Sequence, residues 1–223
     1  MIISRVEVSP KIPSELREVY GHLAGAVINT LGSYSELVTL FSMSEETVEL
    51  MNATAPTFFV RHQQLLVDHT ILSLSRLTDE KHSGPRKNPQ DNLTLPRLLD
   101  LHEPEHHQLR VDLQRKWKTI KVASSPIRLY RHKLLAHASL VHYLSPSTRL
   151  GDEITMTSMK NLLDEILDYL ATFDCFFTGV DTPLSYPPSY GEATDLIAYL
   201  RTAVDAEKKL NDERRRAAAL IRD

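Results

Sequence analysis

Residues 156–177 read MTSMKNLLDEILDYLATFDCFF, and this stretch decides the fold. Its large apolar side chains recur every three or four residues, the spacing of one helical face; they are Leu162, Leu163, Ile166, Leu167, Leu170, Phe173 and Phe177. So heavily apolar a face predicts a central core helix. The whole chain has only seven glycines and few alternating β-branched runs, which disfavours strands. We therefore predict an all-α protein, an up-and-down helical bundle.

The overall composition predicts an ordinary globular protein. Its 223 residues, 42% of them hydrophobic, suffice for one sizeable core, which favours one domain over two. The net charge of -3 gives no general attraction to nucleic acid, so any RNA contact needs a local basic patch. The single Cys175 excludes an internal disulfide and suits a reducing cytoplasm. Because we find neither a leader pattern nor a run of about 18 apolar residues, we expect a cytoplasmic protein without a membrane span.

Helical periodicity extends outward from this core stretch on its N-terminal side. One amphipathic helix is predicted over 14–42. Another begins near Ser44 and is broken or restarted at Pro56, because proline lacks the donor a helix interior needs; it continues to Leu77. Residues 80–93 combine glycine, prolines and charges, which predicts an exposed loop.

Three further helices are predicted between this loop and the core stretch. A short one lies near 95–101 and a longer one over about 104–122. Ser124 then supplies an N-cap and Pro126 a first-turn proline, so a new helix is expected to start there.

The C-terminal part predicts an addition to the bundle. Residues 181–190 contain three prolines and predict a semi-rigid connector. A helix follows over about 192–222, and its segment 208–216 has mixed charges, typical of a solvated face, with phosphate contact or self-association as alternatives. We therefore expect a bundle over 1–180 and a charged C-terminal helix over 191–223 that packs on the bundle or extends from it.

The one segment that indicates chemistry is 131–137, RHKLLAH. Arginine holds a phosphate through a planar fork of donors, and histidine moves a proton near neutral pH, which together suit phosphodiester cleavage. On one uninterrupted helix Arg131 and His137 lie about 120° and about 9 Å apart and flank an apolar stripe around Leu134. If that stripe packs against the same stripe of a second chain, two arginines and two histidines line the interface between the chains. If it packs against the monomer core, Arg131 forms only a surface ion pair.

Two segments carry a family resemblance. Residues 128–137, RLYRHKLLAH, resemble the signature of the HEPN superfamily, an arginine and a polar residue followed by a histidine after four to six intervening residues. The segment is most similar to the abortive-infection (AbiU2-like) branch, where forms such as Arg-Asn-Lys-x-x-Ala-His occur. Upstream, residues 70–79, TILSLSRLTD, are similar to that branch's helix ending in Arg-Leu-x-Asp. The resemblance covers about 15–177.

The resemblance implies an α-helical bundle of HEPN type, a homodimer with a composite interface site, and metal-independent RNA cleavage. In this sequence Arg131 would bind and polarise the scissile phosphate, and His137 would transfer the proton. His132 would occupy the polar position beside the arginine, where the branch often has Asn or Asp. Lys133 and Arg128 are candidates for binding neighbouring phosphates, with a solvated surface charge as the simpler interpretation of each.

These expectations define a function and its alternatives. RNA cleavage by its own 2'-hydroxyl needs a base, an acid and positive charge on the phosphorane-like transition state, all of which a dimer can supply. We predict no cofactor or metal, and an antitoxin or defence-system partner is a candidate. Ser139 stands where HEPN proteins with nucleotidyltransferase antitoxins often carry a tyrosine, which does not support regulation through that residue. The alternatives are a catalytically silent module that binds RNA or protein, and a structural protein assembled through its C-terminal helix.

Other polar residues are weaker candidates. His102 and His106 have a spacing that seats a metal on a helix, but Pro104 lies between them and no third ligand is identifiable. Arg76 and Asp79 predict a local ion pair near a helix end. Three loop cations are candidates for guiding RNA, although charged loops are usually only solvated: Lys81, Arg86 and Lys87.

Overall fold

The structure, a computed structural model, describes residues 8–85, 87–136, 153–180, 184 and 192–220. In these ranges it has seven α-helices: α1 Ser14–Phe41, α2 Glu45–Thr54, α3 Pro56–Leu77, α4 His107–Ala123, α5 Ser125–Tyr130, α6 Met156–Thr178 and α7 Ala193–Leu220. Two 3₁₀ turns, Leu95–Leu99 and Pro104–His106, precede α4, and a π-helical segment, Arg131–Ala136, follows α5. Two short strands follow α3: β1 His82–Ser83 and β2 Gln90–Asp91. The all-α prediction is confirmed.

The described chain divides into two compact units. The first contains Met1–Ser33 and Asp68–Tyr186, and the second contains Tyr34–Val67 and Pro187–Asp223. The division of the sequence into a bundle over 1–180, a connector and a C-terminal helix stays a prediction. Apart from Leu184, the connector falls outside the described residues.

Helix α6 lies at the centre of the first unit, as its sequence predicts. Seven of its side chains are buried: Met159, Leu162, Leu163, Ile166, Tyr169, Leu170 and Phe173. Helix α4 packs along it, and Tyr20 of α1 stacks on Phe173 with ring centroids 5.2 Å apart. Each fully buried side chain of this size contributes about 1.5–3 kcal/mol through the hydrophobic effect. The helix therefore anchors the elements that surround it.

Local signals fix both ends of α6. At its start Thr155 Oγ1 accepts a hydrogen bond from the Ser158 amide at 3.0 Å, and Ser158 Oγ accepts one from the Thr155 amide at 2.8 Å. This reciprocal capping box satisfies amides that have no partner within a helix. At its end Gly179 has φ 73°, a left-handed conformation that favours glycine, and its amide donates to the Cys175 carbonyl at 2.8 Å.

The second unit contains α2 and α7, which pack against each other. Ser44 caps α2 as predicted, since its hydroxyl accepts from the Thr47 amide at 3.2 Å. The predicted break lies at Ala55, and α3 begins at Pro56. Within α3, Leu66 is buried, whereas its neighbour Leu65 is exposed. The mixed charges of 208–216 are all exposed.

The predicted loop over 80–93 contains an antiparallel hairpin instead of being wholly irregular. Strands β1 and β2 pair, and Arg97 fixes the base of the hairpin. Its Nε donates to the Asn92 carbonyl at 3.0 Å, and its Nη2 donates to the Lys81 carbonyl and the Asp91 carboxylate, each at 2.7 Å. Two-residue strands have no sequence periodicity, which is why the pattern did not predict them.

Candidate functional site

The two segments that carry the sequence motifs meet in the first unit. Arg131, the first residue of the π-helical segment, extends its guanidinium to the end of α3. Its Nε donates to Ser75 Oγ at 3.0 Å, and its Nη2 donates to both carboxylate oxygens of Asp79 at 2.8 Å. The two charged side chains are 31% and 29% exposed, so the pair lies at the edge of the core.

The end of α3 presents these partners because of its helical register. Ser75 lies in the last turn of α3 and is fully buried, and Asp79 follows the helix by two residues. Side chains four positions apart along this segment, such as those of Ser75 and Asp79, lie on nearly the same face. The predicted local pair between Arg76 and Asp79 was wrong, because Asp79 instead binds Arg131, far away in sequence.

A second arginine also binds the end of α3. Arg128 Nη1 donates to the Thr78 carbonyl at 3.1 Å, satisfying a helix C-terminal carbonyl. Next to it, Lys121 Nζ lies 2.8 Å from Glu80 Oε1. The hydrogen bond from Lys121 lowers the pKa of Glu80, and the charges of Lys121 and Arg128 add to this effect.

The charges of this cluster do not cancel. Lys121, Arg128 and Arg131 face the two carboxylates of Asp79 and Glu80. These five side chains therefore carry one positive charge more than negative charges.

The backbone that carries Arg131 departs from the predicted uninterrupted α-helix. Helix α5 ends at Tyr130, and 131–136 are π-helical, with more residues per turn. The predicted separation of about 120° between Arg131 and His137 assumes α-helical geometry and does not apply to this segment. Such π segments occur frequently at functional sites. Ser124 does not cap α5 with its side chain, because its hydroxyl donates to the Lys121 carbonyl at 3.3 Å.

One part of the apolar stripe around Leu134 lies in the core, and another part lies nearer the surface. Ile127 is buried in the first unit, while Leu134 is only half-buried. The interpretation in which this stripe faces the monomer core is thus supported at Ile127, and so is the ion pair it expects for Arg131.

The remaining predicted site residues have different positions. His132 is exposed, and Lys133 is half-buried. His137 lies outside the described residues, as do 138–152 and Arg86. In the described chain, Arg131 Nη1 has no hydrogen-bond partner. That nitrogen carries two of the five guanidinium donors and is available to a ligand.

His106, the second histidine of the weak metal candidate, packs among aromatic rings. His106 ends a 3₁₀ turn and is buried, with its ring 5.9 Å and 5.3 Å from the rings of Phe176 and Phe177. Its Nδ1 is 3.5 Å from Glu103 Oε2, an ionic distance but too long for a good hydrogen bond. Within the described ranges, no three His, Cys, Asp or Glu residues are grouped to hold a metal ion.

Comparison with known proteins identifies the family. The model of the AbiU2 family of HEPN domains matches residues 14–172, which include both motif segments and the contact between them. The chain belongs to the AbiU2 family of HEPN proteins. No curated protein and no solved structure gives a significant match to it. The predicted family is therefore confirmed, and HEPN domains are often ribonucleases.

Some properties of this HEPN protein were visible in its sequence and others were not. The family motifs indicate Arg131 and the segment ending at Asp79, but nothing in the sequence singles out Ser75 as a partner. In the sequence, Ser75 looks like any other residue of a predicted helix. None of the described helices is long and apolar enough to cross a membrane.

Proposed function

We propose that this HEPN protein is a metal-independent endoribonuclease that acts as a toxin or phage-defence effector in abortive infection. Arg131 binds and polarises the scissile phosphate, and His137 transfers the proton. His132 occupies the polar position beside the arginine, while Lys133 and Arg128 are the candidates for neighbouring phosphates. The family supports this proposal, because HEPN domains are often ribonucleases.

The observation that carries the proposal is the way Arg131 is held. A guanidinium fixed through Nε and Nη2 keeps one direction for its Nη1 donors. Donors that are positioned beforehand stabilise charge that develops in a transition state better than mobile ones do. The surplus positive charge of the surrounding cluster favours a phosphate at the same place.

The proposed chemistry is attack of an RNA 2'-hydroxyl on the adjacent phosphorus. The bond from phosphorus to the 5'-oxygen breaks, giving a 2',3'-cyclic phosphate and a 5'-hydroxyl. His137 moves a proton in this step, because imidazole changes charge near neutral pH. Arg131 stabilises the negative charge on the phosphorane oxygens.

We further propose that the active form is a homodimer. Because Arg131 and His137 belong to one short segment, a two-fold contact along that segment sets the Arg131 of one chain beside the His137 of the other. A two-fold interface places both copies of each residue in one cleft. We also propose an antitoxin or another defence component as its partner in the cell.

One observation favours a second function. Arg131 is already paired with Asp79, which reduces its attraction for phosphate. A catalytically silent helical module that binds RNA or protein would retain this pair as a structural contact. Such a module would bind its partner without cutting RNA.

Cleavage of end-labelled RNA in EDTA separates these functions. Wild-type protein and His137→Ala are compared after circular dichroism and light scattering show equal folding and equal oligomeric state. Cutting by wild type alone supports the nuclease. Binding without cutting by wild type, across RNAs of varied sequence, supports the silent module and contradicts the nuclease.

A further inference from the structure

We propose that Asp79 and Ser75 are positioning residues that aim the Nη1 edge of Arg131 at a phosphate of the RNA. The inference rests on the proposed function, because it assigns a role to two residues around the proposed phosphate-binding arginine. Neither residue touches the reacting atoms; each acts through Arg131.

The geometry fixes the guanidinium plane at two points. Ser75 Oγ accepts from Nε at 3.0 Å, and Asp79 accepts from Nη2 at 2.8 Å through both oxygens. A planar group held at two of its nitrogens cannot rotate about its side-chain axis without breaking a contact. The third nitrogen, Nη1, therefore keeps its direction.

The position of Asp79 makes a purely structural role a poor explanation. A carboxylate just beyond a helix C-terminus faces the negative end of the helix dipole, which is unfavourable. An ionised carboxylate only accepts hydrogen bonds, so it cannot satisfy the carbonyls at this helix end. The donors there are the Thr78 hydroxyl, which donates to the Leu74 carbonyl at 2.8 Å, and Arg128, which binds the Thr78 carbonyl one residue beyond the helix. The helix end does not need Asp79, whereas Arg131 does.

The burial of Ser75 also supports a positioning role. Ser75 is fully buried, so its hydroxyl has a fixed position from which to accept the Nε hydrogen bond. Asp79 lies at the surface edge, next to where RNA would reach the arginine. The inner contact sets the orientation of the guanidinium, and the outer contact keeps it from swinging into solvent.

Kinetics of matched variants tests the inference. Asp79→Asn removes the charge with little change of shape, and Asp112→Asn is the control, because Asp112 lies on α4 and pairs with Arg115 instead of Arg131. We expect Asp79→Asn to lower kcat about 10- to 100-fold, the scale of a small misplacement of a catalytic group. We expect KM to stay the same or fall, because Asp79 reduces the attraction of Arg131 for phosphate, whereas the positioning it provides acts in the transition state.

Two further variants separate positioning from folding. Ser75→Ala should also lower kcat with little effect on KM, and Asp79→Glu should recover part of the rate lost in Asp79→Asn. In an Arg131→Ala background, Asp79→Asn should have no further effect on the residual rate. Folded Asp79→Asn with wild-type kcat, or an equal loss in Asp112→Asn, would overturn the inference.

A measurement without cleavage decides the case in which wild type cuts no RNA. Nitrogen-15 spectra report how fast the Arg131 Nε proton exchanges with water, and Arg131→Lys identifies its signal. We expect slow exchange in wild type and Asp112→Asn, and fast exchange in Ser75→Ala and Asp79→Asn. We also expect an uncleavable 2'-O-methyl oligonucleotide to shift the wild-type signal.

The outcomes of the two measurements are distinct. If wild type cuts no RNA but its Arg131 Nε proton exchanges slowly and its signal shifts on RNA binding, the nuclease proposal is contradicted and the positioning role is retained. Equal exchange rates in all variants, or no shift with RNA, overturns the positioning role even if wild type is an active nuclease.

Discussion

At the scale of single residues, the form of the arginine side chain matters more than its charge. Arg131 contacts Ser75 and Asp79 at once and still has donors left on Nη1. A lysine ammonium is a single point with three donors on a flexible stem. It cannot reach both partners and a phosphate in one fixed geometry.

Arg131→Lys should therefore lose most of the RNA cleavage although it keeps the positive charge. We expect a fall of about 10²- to 10³-fold in kcat, the scale for losing one positioned donor to a transition-state oxygen. The measurement is single-turnover cleavage of a labelled RNA in EDTA. Retention of wild-type kcat by Arg131→Lys would mean that only the charge is used.

A second residue-scale prediction concerns pH. Burial raises the pKa of Asp174, and hydrogen bonds with Tyr20 and Thr178 partly oppose this rise. As pH rises above the ordinary value of 3.8, the unfolded chain loses this proton before the folded chain does, so the free energy of unfolding falls through that window. Asp174→Asn should thus be more stable than wild type at neutral pH, with a smaller gain at acid pH.

For Glu80 we expect the opposite dependence of stability on pH in the same experiment. Its pKa is lowered by Lys121 and Arg128, so its stabilising effect is present above the ordinary value of 4.5 and is lost as pH falls. Glu80→Gln should be less stable than wild type at neutral pH, and the difference should shrink at acid pH. Urea unfolding at several pH values measures both. Differences that do not vary with pH would contradict both assignments.

At the scale of elements, α6 holds the first unit together through side chains that sit on one face. The buried Tyr169 also has a polar function, because its hydroxyl donates to the Leu95 carbonyl at 3.1 Å. The contact ties α6 to the 3₁₀ turn that precedes α4.

Tyr169→Phe should destabilise the fold by about 1–3 kcal/mol, because it leaves a buried carbonyl without its donor. Tyr199→Phe is the matched control, since Tyr199 lies on α7 and is 66% exposed. We expect the control to change stability by less than about 0.5 kcal/mol. Urea unfolding followed by circular dichroism gives both values; an equal effect of the two substitutions would contradict the role assigned to the hydroxyl.

Most elements could be predicted from the sequence because long periodic helices depend on local signals. The apolar face of α6, the Ser44 cap and the restart at Pro56 each depend on residues a few positions apart. The hairpin after α3 could not be predicted, because Arg97 fixes it through tertiary hydrogen bonds. The π-helical turn at Arg131 likewise has no distinct sequence pattern.

The site was predictable only in part for the same reason. The family motif indicates Arg131 and the segment that ends at Asp79, but which carboxylate the arginine binds depends on how α3 and α5 come together. Local spacing favoured Arg76 as the partner of Asp79. The tertiary contact with Arg131 replaced it, since Arg131 binds both carboxylate oxygens.

At the scale of the whole molecule, the proposed homodimer makes a prediction that a monomer does not. In a composite cleft, a chain with Arg131→Ala still provides His137, and a chain with His137→Ala still provides Arg131. A mixed dimer retains one copy of each residue. Mixing two inactive variants should then restore part of the activity.

Subunit exchange tests this prediction. The two variants are refolded together or co-expressed with different tags, and the mixed dimer is isolated and assayed for RNA cleavage. We expect activity about half that of wild type or less, and well above either variant alone, because one of two residue sets survives. An inactive mixed dimer, or a monomeric wild type that is fully active, would contradict a composite site.

The chemical form of the RNA ends tests the proposed nuclease most directly. A defined RNA is incubated in EDTA with wild type, Arg131→Ala or His137→Ala, and the fragments are analysed by mass spectrometry. Attack by the 2'-hydroxyl predicts 2',3'-cyclic phosphate and 5'-hydroxyl ends with wild type, and intact RNA with both variants. Intact RNA with wild type, 3'-hydroxyl and 5'-phosphate ends, or equal cutting by the variants would contradict it.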